Sequence, residues 1–253
     1  MATLNINDVT LSFGGLNALR EVSLTIEPGL ITSIIGPNGA GNTSLLNCSS
    51  GFYHPTKGQI FYGDRNLSKA SPHQVTSLGI ARAFQNIELF SGMTVLDNLL
   101  LARHQNLKYN LLQAFFYSGK TSAEEAKNRQ YVEEIIDFME LEPYRKKTVG
   151  SLSYGIQKSV EVARALTLGP DLLLLDEPMA GMNIEEKEDM VRFIMDIQKE
   201  RHITVVLVEH DLGVVMDISD YVCVLDFGEV IGDGKPDEVA ENPKVVEAYI
   251  GEE

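Results

Sequence analysis

The feature that most limits the possible folds is a glycine-rich segment, G-P-N-G-A-G-N-T, at residues 36–43. A short apolar run, LITSII at residues 30–35, comes directly before it, and a helix-compatible stretch follows from Thr43. Such a run is typical of a strand that is buried on both faces. A strand, a glycine-rich turn and a helix together place backbone N–H groups around a phosphate. The segment therefore predicts an α/β fold with an anion site at a helix N-terminus.

This segment departs at one position from the phosphate-loop pattern G-x-x-x-x-G-K-[ST]. Asn42 stands where the pattern has lysine, and there is no Lys or Arg at all in residues 21–56. Thr43 keeps the hydroxyl expected on Mg²⁺. A hydrogen bond to a charged group contributes about 1.5–3 kcal/mol, against about 0.5–1.5 kcal/mol for a neutral one. We therefore expect the affinity for phosphates to be lower by about tenfold or more.

Strand and helix patterns alternate along the rest of the chain. Buried-strand runs recur at residues 172–175 and 204–208, and residues 185–201 between them form an amphipathic helix pattern. Residues 221–233 are typical of a hairpin. This alternation predicts a mainly parallel α/β sheet.

From about residue 94 to residue 147, apolar residues recur at the spacing of a helix. One helical face there carries Tyr131, Val132, Ile135, Ile136 and Met139. We expect most of this segment to be a helical subdomain. The apolar stretch at residues 107–117 is interpreted as packing inside it, with a surface that docks a partner as the alternative.

Composition excludes several classes of protein. Hydrophobic residues make up 44% and charged residues 23% of the chain, which is ordinary for a soluble globular protein. The net charge of −15 argues against nucleic acid or an anionic lipid surface as the main partner. No apolar run approaches the roughly 18–20 residues that span a bilayer, and the start lacks signal-peptide features. The lone Cys48 and Cys223 predict neither disulfides nor structural zinc.

The segment LLLLDEP at residues 172–178 places two adjacent carboxylates at the end of a buried strand. Ligands of open α/β sheets bind at that edge. In a phosphate-loop protein, Asp176 would hold Mg²⁺ through water, and Glu177 would orient or deprotonate the attacking water.

The segment SLSYGIQKSVEVAR at residues 151–164 opens a helix just upstream of that strand. Ser153 and Gly155 would cap the helix and present its N-terminus to an anion. Within this segment, LSYGIQ matches the LSGGQ signature with Tyr and Ile substituted. Because the signature occurs together with the glycine-rich segment and LLLLDEP, the chain resembles an ATP-binding subunit of an ABC transporter. The resemblance implies that the anion is the γ-phosphate of ATP bound by the opposite subunit, in a head-to-tail dimer that holds two ATP molecules.

The same resemblance assigns further positions. Phe13 matches the aromatic residue that stacks on adenine, Gln85 the glutamine that contacts Mg²⁺ and the attacking water, and His210 the histidine that senses the γ-phosphate. Residues 179–183 (MAGMN) occupy the D-loop. The implied catalytic residues are Glu177, His210 and Gln85, and the implied Mg²⁺ contacts are Thr43, Gln85 and Asp176. The implied ATP contacts are Phe13, Gly36, Pro37, Asn38, Gly39, Ala40, Gly41, Asn42, Thr43 and Ser44, with Ser153 and Gly155 of the signature.

The resemblance covers essentially the whole chain and is closest to ATP-binding subunits of branched-chain amino-acid importers. GFYHPTKGQI, FQNIELFSGMTVLDNLL, DEPMAGMN and ENPKVVEAYIGEE carry it, together with the insert at residues 103–130. It implies a P-loop ABC ATPase core over residues 1–253, with a mixed, mainly parallel sheet, an antiparallel β part and a helical subdomain at about 94–165. It also implies transmembrane permease subunits as partners, a homodimer or heterodimer, and a place at the cytoplasmic face of the membrane.

Two other functions are weighed against an ATPase of an importer. In the first, Asn42 leaves a nucleotide-binding subunit with weak or no hydrolysis, although retention of Glu177 and His210 favours catalysis. In the second, the chain is a soluble ABC-type protein of translation or DNA repair. A single unit with a net charge of −15 and no coiled-coil heptads disfavours this last possibility.

Overall fold

The computed structural model describes residues 1–103 and 119–250. An antiparallel sheet lies at the N-terminal side of the chain. Its strands are β1 (Leu4–Phe13), β2 (Leu16–Ile26), β4 (Lys57–Tyr62) and β5 (Arg65–Asn66), and they lie in the order β2-β1-β4-β5. Buried and exposed residues alternate along the end of β2, where Val22, Leu24 and Ile26 face the core.

The strands of the second sheet are β3 (Ile31–Ile35), β6 (Ile80–Ala83), β7 (Leu172–Asp176), β8 (Thr204–Val208), β9 (Tyr221–Asp226) and β10 (Glu229–Gly234). They lie in the order β10-β9-β3-β8-β7-β6. Neighbouring strands from β9 to β6 are parallel, and β10 is antiparallel to β9. In each of β3, β7 and β8, all five residues are buried, as their continuous apolar runs predicted. The predicted mixed, mainly parallel sheet with an antiparallel part is confirmed.

Helices cover the sheets and are numbered here over the described residues. They are α1 (Asn42–Ser49), α2 (Pro72–Ser77), α3 (Val95–Arg103), α4 (Gly119–Phe138), α5 (Tyr154–Thr167), α6 (Ile184–Arg201), α7 (Leu212–Ile218), α8 (Pro236–Ala240) and α9 (Pro243–Ile250). Short 3-10 turns lie at Glu142–Tyr144 and Val149–Ser151. In the described part of the chain, no helix combines the length and the apolar character that crossing a bilayer needs.

One core cluster joins the helical segment to the parallel sheet. Val132, Ile135, Ile136 and Met139 are buried in it, beside residues of α3, α5 and β7, so the predicted apolar face of α4 is confirmed. A second cluster fills the space between the two sheets and α1. The predicted apolar stretch at residues 107–117 lies outside the described residues.

Parallel pairing fixes where the functional side chains emerge. Asp176 at the end of β7 is paired with Val208 at the end of β8, so the residues that follow these strands share one edge of the sheet. The loop between β3 and α1 leaves from the same edge, because β3 is parallel to β8.

Candidate functional site

Two glycines of the loop between β3 and α1, Gly36 and Gly41, could not be replaced by another residue without displacing their neighbours. A Cβ atom at Gly36 would lie 2.1 Å from the carbonyl oxygen of Leu225 in β9. Gly41, the residue before α1, has a φ of 111°, and a Cβ there would lie 2.8 Å from the oxygen of Ala18. Close approach on both sides holds the loop curled, so that it leads into the N-terminus of α1.

A cavity of about 350 Å³ lies over this loop. The site residues predicted from the sequence that line it are Pro37, Asn38, Gly39, Ala40, Gly41, Asn42, Thr43, Ser44, Gln85, Glu177 and His210. Gly36 is buried at the base of the loop. The size of the cavity and the hydrogen-bonding groups among its lining residues suit a phosphate chain, and the glycines keep side chains out of the space where it would lie.

Asn42 is the first residue of α1 and is only 7% exposed. Its Oδ1 atom is buried and has no hydrogen-bond partner among the described residues. An unpaired buried polar atom costs about 1–3 kcal/mol. Arg20 borders the same cavity, with a half-exposed side chain whose Nη1 lies 3.4 Å from Glu229 Oε1. Arg20 is therefore a cation at the rim of the site, although the loop itself has none.

Asp176 is buried at the end of β7 and is held by an arginine. Arg82 Nη2 donates to Asp176 Oδ2 at 2.6 Å, and both side chains are nearly inaccessible to solvent. Arg82 Nη1 also donates to Asn47 Oδ1 of α1, at 2.7 Å, and to Oγ of Ser50, the residue that follows α1, at 3.0 Å. A buried arginine with these three partners ties β6, β7 and α1 together.

The other oxygen of Asp176 faces the hydroxyl predicted to bind Mg²⁺. Thr43 Oγ1 lies 3.5 Å from Asp176 Oδ1. A hydroxyl and a carboxylate oxygen at the edge of the loop are donors of the kind that Mg²⁺ takes, together with water and phosphate oxygens. The residues present therefore fit a magnesium ion bound through one protein hydroxyl and a carboxylate beyond it.

Three predicted catalytic residues meet at one point of the cavity. Gln85 Nε2 donates to Glu177 Oε2 at 2.8 Å, and His210 Nε2 lies 3.0 Å from Glu177 Oε1. Glu177 has a φ of 50°, a left-handed conformation that is uncommon for a residue with a side chain. Its N–H donates to the oxygen of Val208 at 2.9 Å. The neighbouring sheet strand thus helps to fix a strained backbone, and the carboxylate lies between an amide and an imidazole.

Glu209 anchors the segments on both sides of this cluster and was not predicted from the sequence. It is buried, and its carboxylate accepts hydrogen bonds from the N–H of Met179 at 2.8 Å and of His210 at 3.2 Å. Burial raises the pKa of Glu209, and the two backbone donors lower it. Its only signal in the sequence is a carboxylate directly after a buried strand.

The signature residues lie outside the cavity of their own chain. Ser153 caps α5 by accepting from the N–H of Ile156, and its Oγ donates to Glu186 Oε1 at 3.3 Å. Gly155 is buried, and a Cβ atom there would lie 2.2 Å from the Glu186 carboxyl carbon. A carboxylate thus occupies the N-terminus of α5, the place where the resemblance puts a γ-phosphate.

Phe13 is the predicted contact that the structure does not bring to the cavity. Its ring is 49% exposed and packs edge to face on Tyr53, with 5.2 Å between the ring centroids. It lies at the end of β1, and its stacking on adenine stays a prediction.

Comparison with known proteins identifies the class to which this fold and site belong. A family model described as ABC transporter matches residues 19–180, and the chain belongs to that family as one of its ATP-binding cassettes. A second model, described as branched-chain amino acid ATP-binding cassette transporter, matches residues 229–253. The family predicted from the sequence is confirmed.

One similar relative is the high-affinity branched-chain amino acid transport ATP-binding protein BraF of Pseudomonas aeruginosa. It is 38% identical over 249 residues, which cover 98% of each chain. A crystal structure of a nucleotide-free ATP-binding cassette from an ABC transporter matches with a TM-score of 0.85 at 31% identity, and covers 99% of this chain and 100% of that one. A dimeric cassette bound to ADP and phosphate, in a post-hydrolysis state, matches with a TM-score of 0.77 at 26% identity, over 92% of this chain and 98% of that one.

Proposed function

We propose that this chain binds and hydrolyses ATP to energise a membrane importer for branched-chain or related hydrophobic amino acids. The observation that carries the hydrolytic part is the contact of Gln85 and His210 with the two oxygens of Glu177 at the edge of the phosphate-loop cavity. The solute is proposed from the name of BraF and from the second family model.

In this proposal, Glu177 accepts the proton of a water molecule that attacks the γ-phosphorus of ATP. The bond between that phosphorus and the β–γ bridging oxygen breaks, which leaves ADP and phosphate. Gln85 and His210 hold the Glu177 carboxylate and contact the γ-phosphate and the water. Bound Mg²⁺ would neutralise phosphate charge, held by Thr43 and, through water, by Asp176, with Gln85 as a further contact.

The proposed active unit is a head-to-tail dimer of this chain or of this chain with a related cassette. Two observations support it: Ser153 and Gly155 lie outside the cavity of their own chain, and a similar cassette is dimeric with ADP and phosphate bound. The dimer would attach to transmembrane permease subunits at the cytoplasmic face of the membrane.

A second candidate function is nucleotide binding with weak or no hydrolysis. The absence of a lysine from the loop favours it, because Asn42 offers at most a neutral amide donor where an ammonium would donate to the phosphates. The two candidates make different predictions for the turnover of MgATP by this chain and by its Asn42→Lys form.

Transport itself is tested with the intact transporter, isolated from its own cells through a tag on this chain and placed in liposomes. We expect uptake of radiolabelled leucine, isoleucine or valine that requires MgATP on the side of this subunit. Radiolabelled lysine serves as the matched amino acid with a charged side chain. Uptake of lysine in place of the three apolar amino acids, or uptake that is the same without MgATP, would overturn the proposal.

A further inference from the structure

Lys158 is a buried cation that none of the predicted functions uses. Lys158 lies in the second turn of α5 and is only 1% exposed. Its side chain is among the largest fully buried ones of the described residues. Burial lowers the pKa of Lys158, and the surrounding carboxylates of Glu161, Glu177, Glu209 and Asp176 raise it. An ammonium is costly to bury, so its hydrogen-bond partners show what it holds in place.

Those partners are the backbone carbonyls of two predicted catalytic residues. Lys158 Nζ donates to the oxygen of Gln85 at 2.5 Å and to the oxygen of Glu177 at 3.1 Å. The side chains of the same two residues are joined by the 2.8 Å hydrogen bond at the cavity edge. One ammonium therefore fixes the main chains of a pair whose side chains act together.

We propose that Lys158 is a positioning residue for hydrolysis, which holds the Gln85 and Glu177 main chains so that their side chains meet at the attacking water. The inference rests on the proposed ATPase function and deepens it. Lys158 does not touch the cavity; it acts through the two carbonyls.

The backbone of Glu177 explains why such a contact is needed. A residue with a φ of 50° returns readily to the ordinary left half of the Ramachandran plot unless its neighbours prevent it. Val208 accepts from the Glu177 N–H, and Lys158 donates to the Glu177 carbonyl, so the residue is held on both sides. The Glu177 carbonyl also accepts from the N–H of Ala180, at 3.3 Å, so without the ammonium this longer hydrogen bond is the one left on that side among the described residues.

The position of Lys158 also connects two parts of the machinery. It is in the same helix as Gly155, one turn further along, and the helix is capped by Ser153. A shift of this helix would therefore move the carbonyls of Gln85 and Glu177 through one side chain. Lys158 thus links the signature, which the proposed dimer presents to the opposite nucleotide, to the water-activating groups of its own site.

The kinetic test compares Lys158→Met, Lys158→Arg and Arg164→Met by steady-state phosphate release. Arg164 is the matched control, because it lies on the same helix and donates to Glu161 Oε1, at 2.6 Å, and to the carbonyl of Glu88, at 2.5 Å, instead of Gln85 or Glu177. We expect Lys158→Met to lower kcat by about 10–100-fold, with KM for MgATP within about threefold of the parent. Lys158→Arg, which keeps the cation, should recover most of the loss.

Two kinetic results would overturn the proposal. One is a kcat for Lys158→Met equal to that of the parent. The other is an equal fall in kcat for Lys158→Met and Arg164→Met, which would mean that the loss follows from general weakening of α5. If Lys158→Met does not fold, Lys158→Gln takes its place with the same expected fall, because its neutral amide ends one atom short of the position of the ammonium.

Hydrogen–deuterium exchange tests the proposal independently of hydrolysis. Lys158→Met should speed exchange at the amides of residues 85–86 and of Glu177, whereas Arg164→Met should leave the amide of Glu177 unchanged. Unchanged exchange at Glu177 in Lys158→Met would overturn the positioning role. If the parent and the Asn42→Lys form both lack turnover, the proposed ATPase function fails, while this exchange result still decides whether Lys158 fixes the two main chains.

Discussion

The Glu177→Gln variant is expected to hydrolyse MgATP about 10²–10⁴-fold more slowly than its parent, because it lacks the group that accepts the proton of the attacking water. Glutamine has the same size and still offers a partner to Gln85, so the cavity should keep its shape. The phosphate loop is untouched, and we expect the affinity for MgATP to stay within about threefold of the parent. Steady-state phosphate release gives the rate, and a fluorescent ATP analogue gives the affinity.

The matched control for Glu177→Gln is Glu188→Gln, the same change in charge on the exposed side of α6. Its rate should equal that of the parent. If Glu177→Gln kept the parent's rate, the general base would be a different group, and the contact with Gln85 and His210 would be structural only. If the parent rate is too low to resolve the decrease, both variants are measured in the Asn42→Lys form.

The Asn42→Lys variant is expected to bind MgATP about tenfold or more tightly than the parent, because a charged donor replaces a neutral amide at the phosphates. The change also removes the buried Oδ1 atom that has no hydrogen-bond partner among the described residues. Titration with the fluorescent ATP analogue at constant ionic strength measures the difference. The expected change is a gain in affinity for MgATP, whereas most substitutions in a binding site lower the affinity.

Arg20 supplies the control for this prediction, because it borders the same cavity. Arg20→Gln should weaken binding by the same small factor in the parent and in Asn42→Lys. Equal affinities for the parent and Asn42→Lys would contradict the charge argument. If Arg20→Gln then lowered the affinity for MgATP much more in the parent than in the Asn42→Lys form, Arg20 would be the cation that replaces the missing lysine.

Local patterns were sufficient to predict much of the fold. The apolar runs that became β3, β7 and β8 are buried on both faces, and strands of this kind are recognisable without knowledge of their neighbours. The glycine loop was predicted from the spacing of its glycines between a buried strand and a helix, and the structure shows that a Cβ at Gly36 or Gly41 has no space. Asp176 and Glu177 were predicted as site residues because they lie at the end of a buried strand.

The groups that hold the site together could not be predicted in the same way. Arg82 contacts Asp176 across 94 residues, and Lys158 contacts the carbonyl of Gln85 across 73. Each is a single charge in an otherwise unremarkable local sequence, and its partner is set by sheet order and helix packing. Glu186 at the N-terminus of α5 also depends on how α5 and α6 meet. The boundaries of the helical subdomain, at about 94–165, stay a prediction.

The measurement that tests the central claim most directly is steady-state MgATP hydrolysis by this chain beside its Asn42→Lys form, at several protein concentrations. The same reaction without protein serves as the blank. The account predicts hydrolysis above the blank, a specific rate that rises with protein concentration as dimers form, and a further rise with lysine at position 42. Rates equal to the blank in both backgrounds, at every concentration, would contradict it and leave a chain that only binds nucleotide.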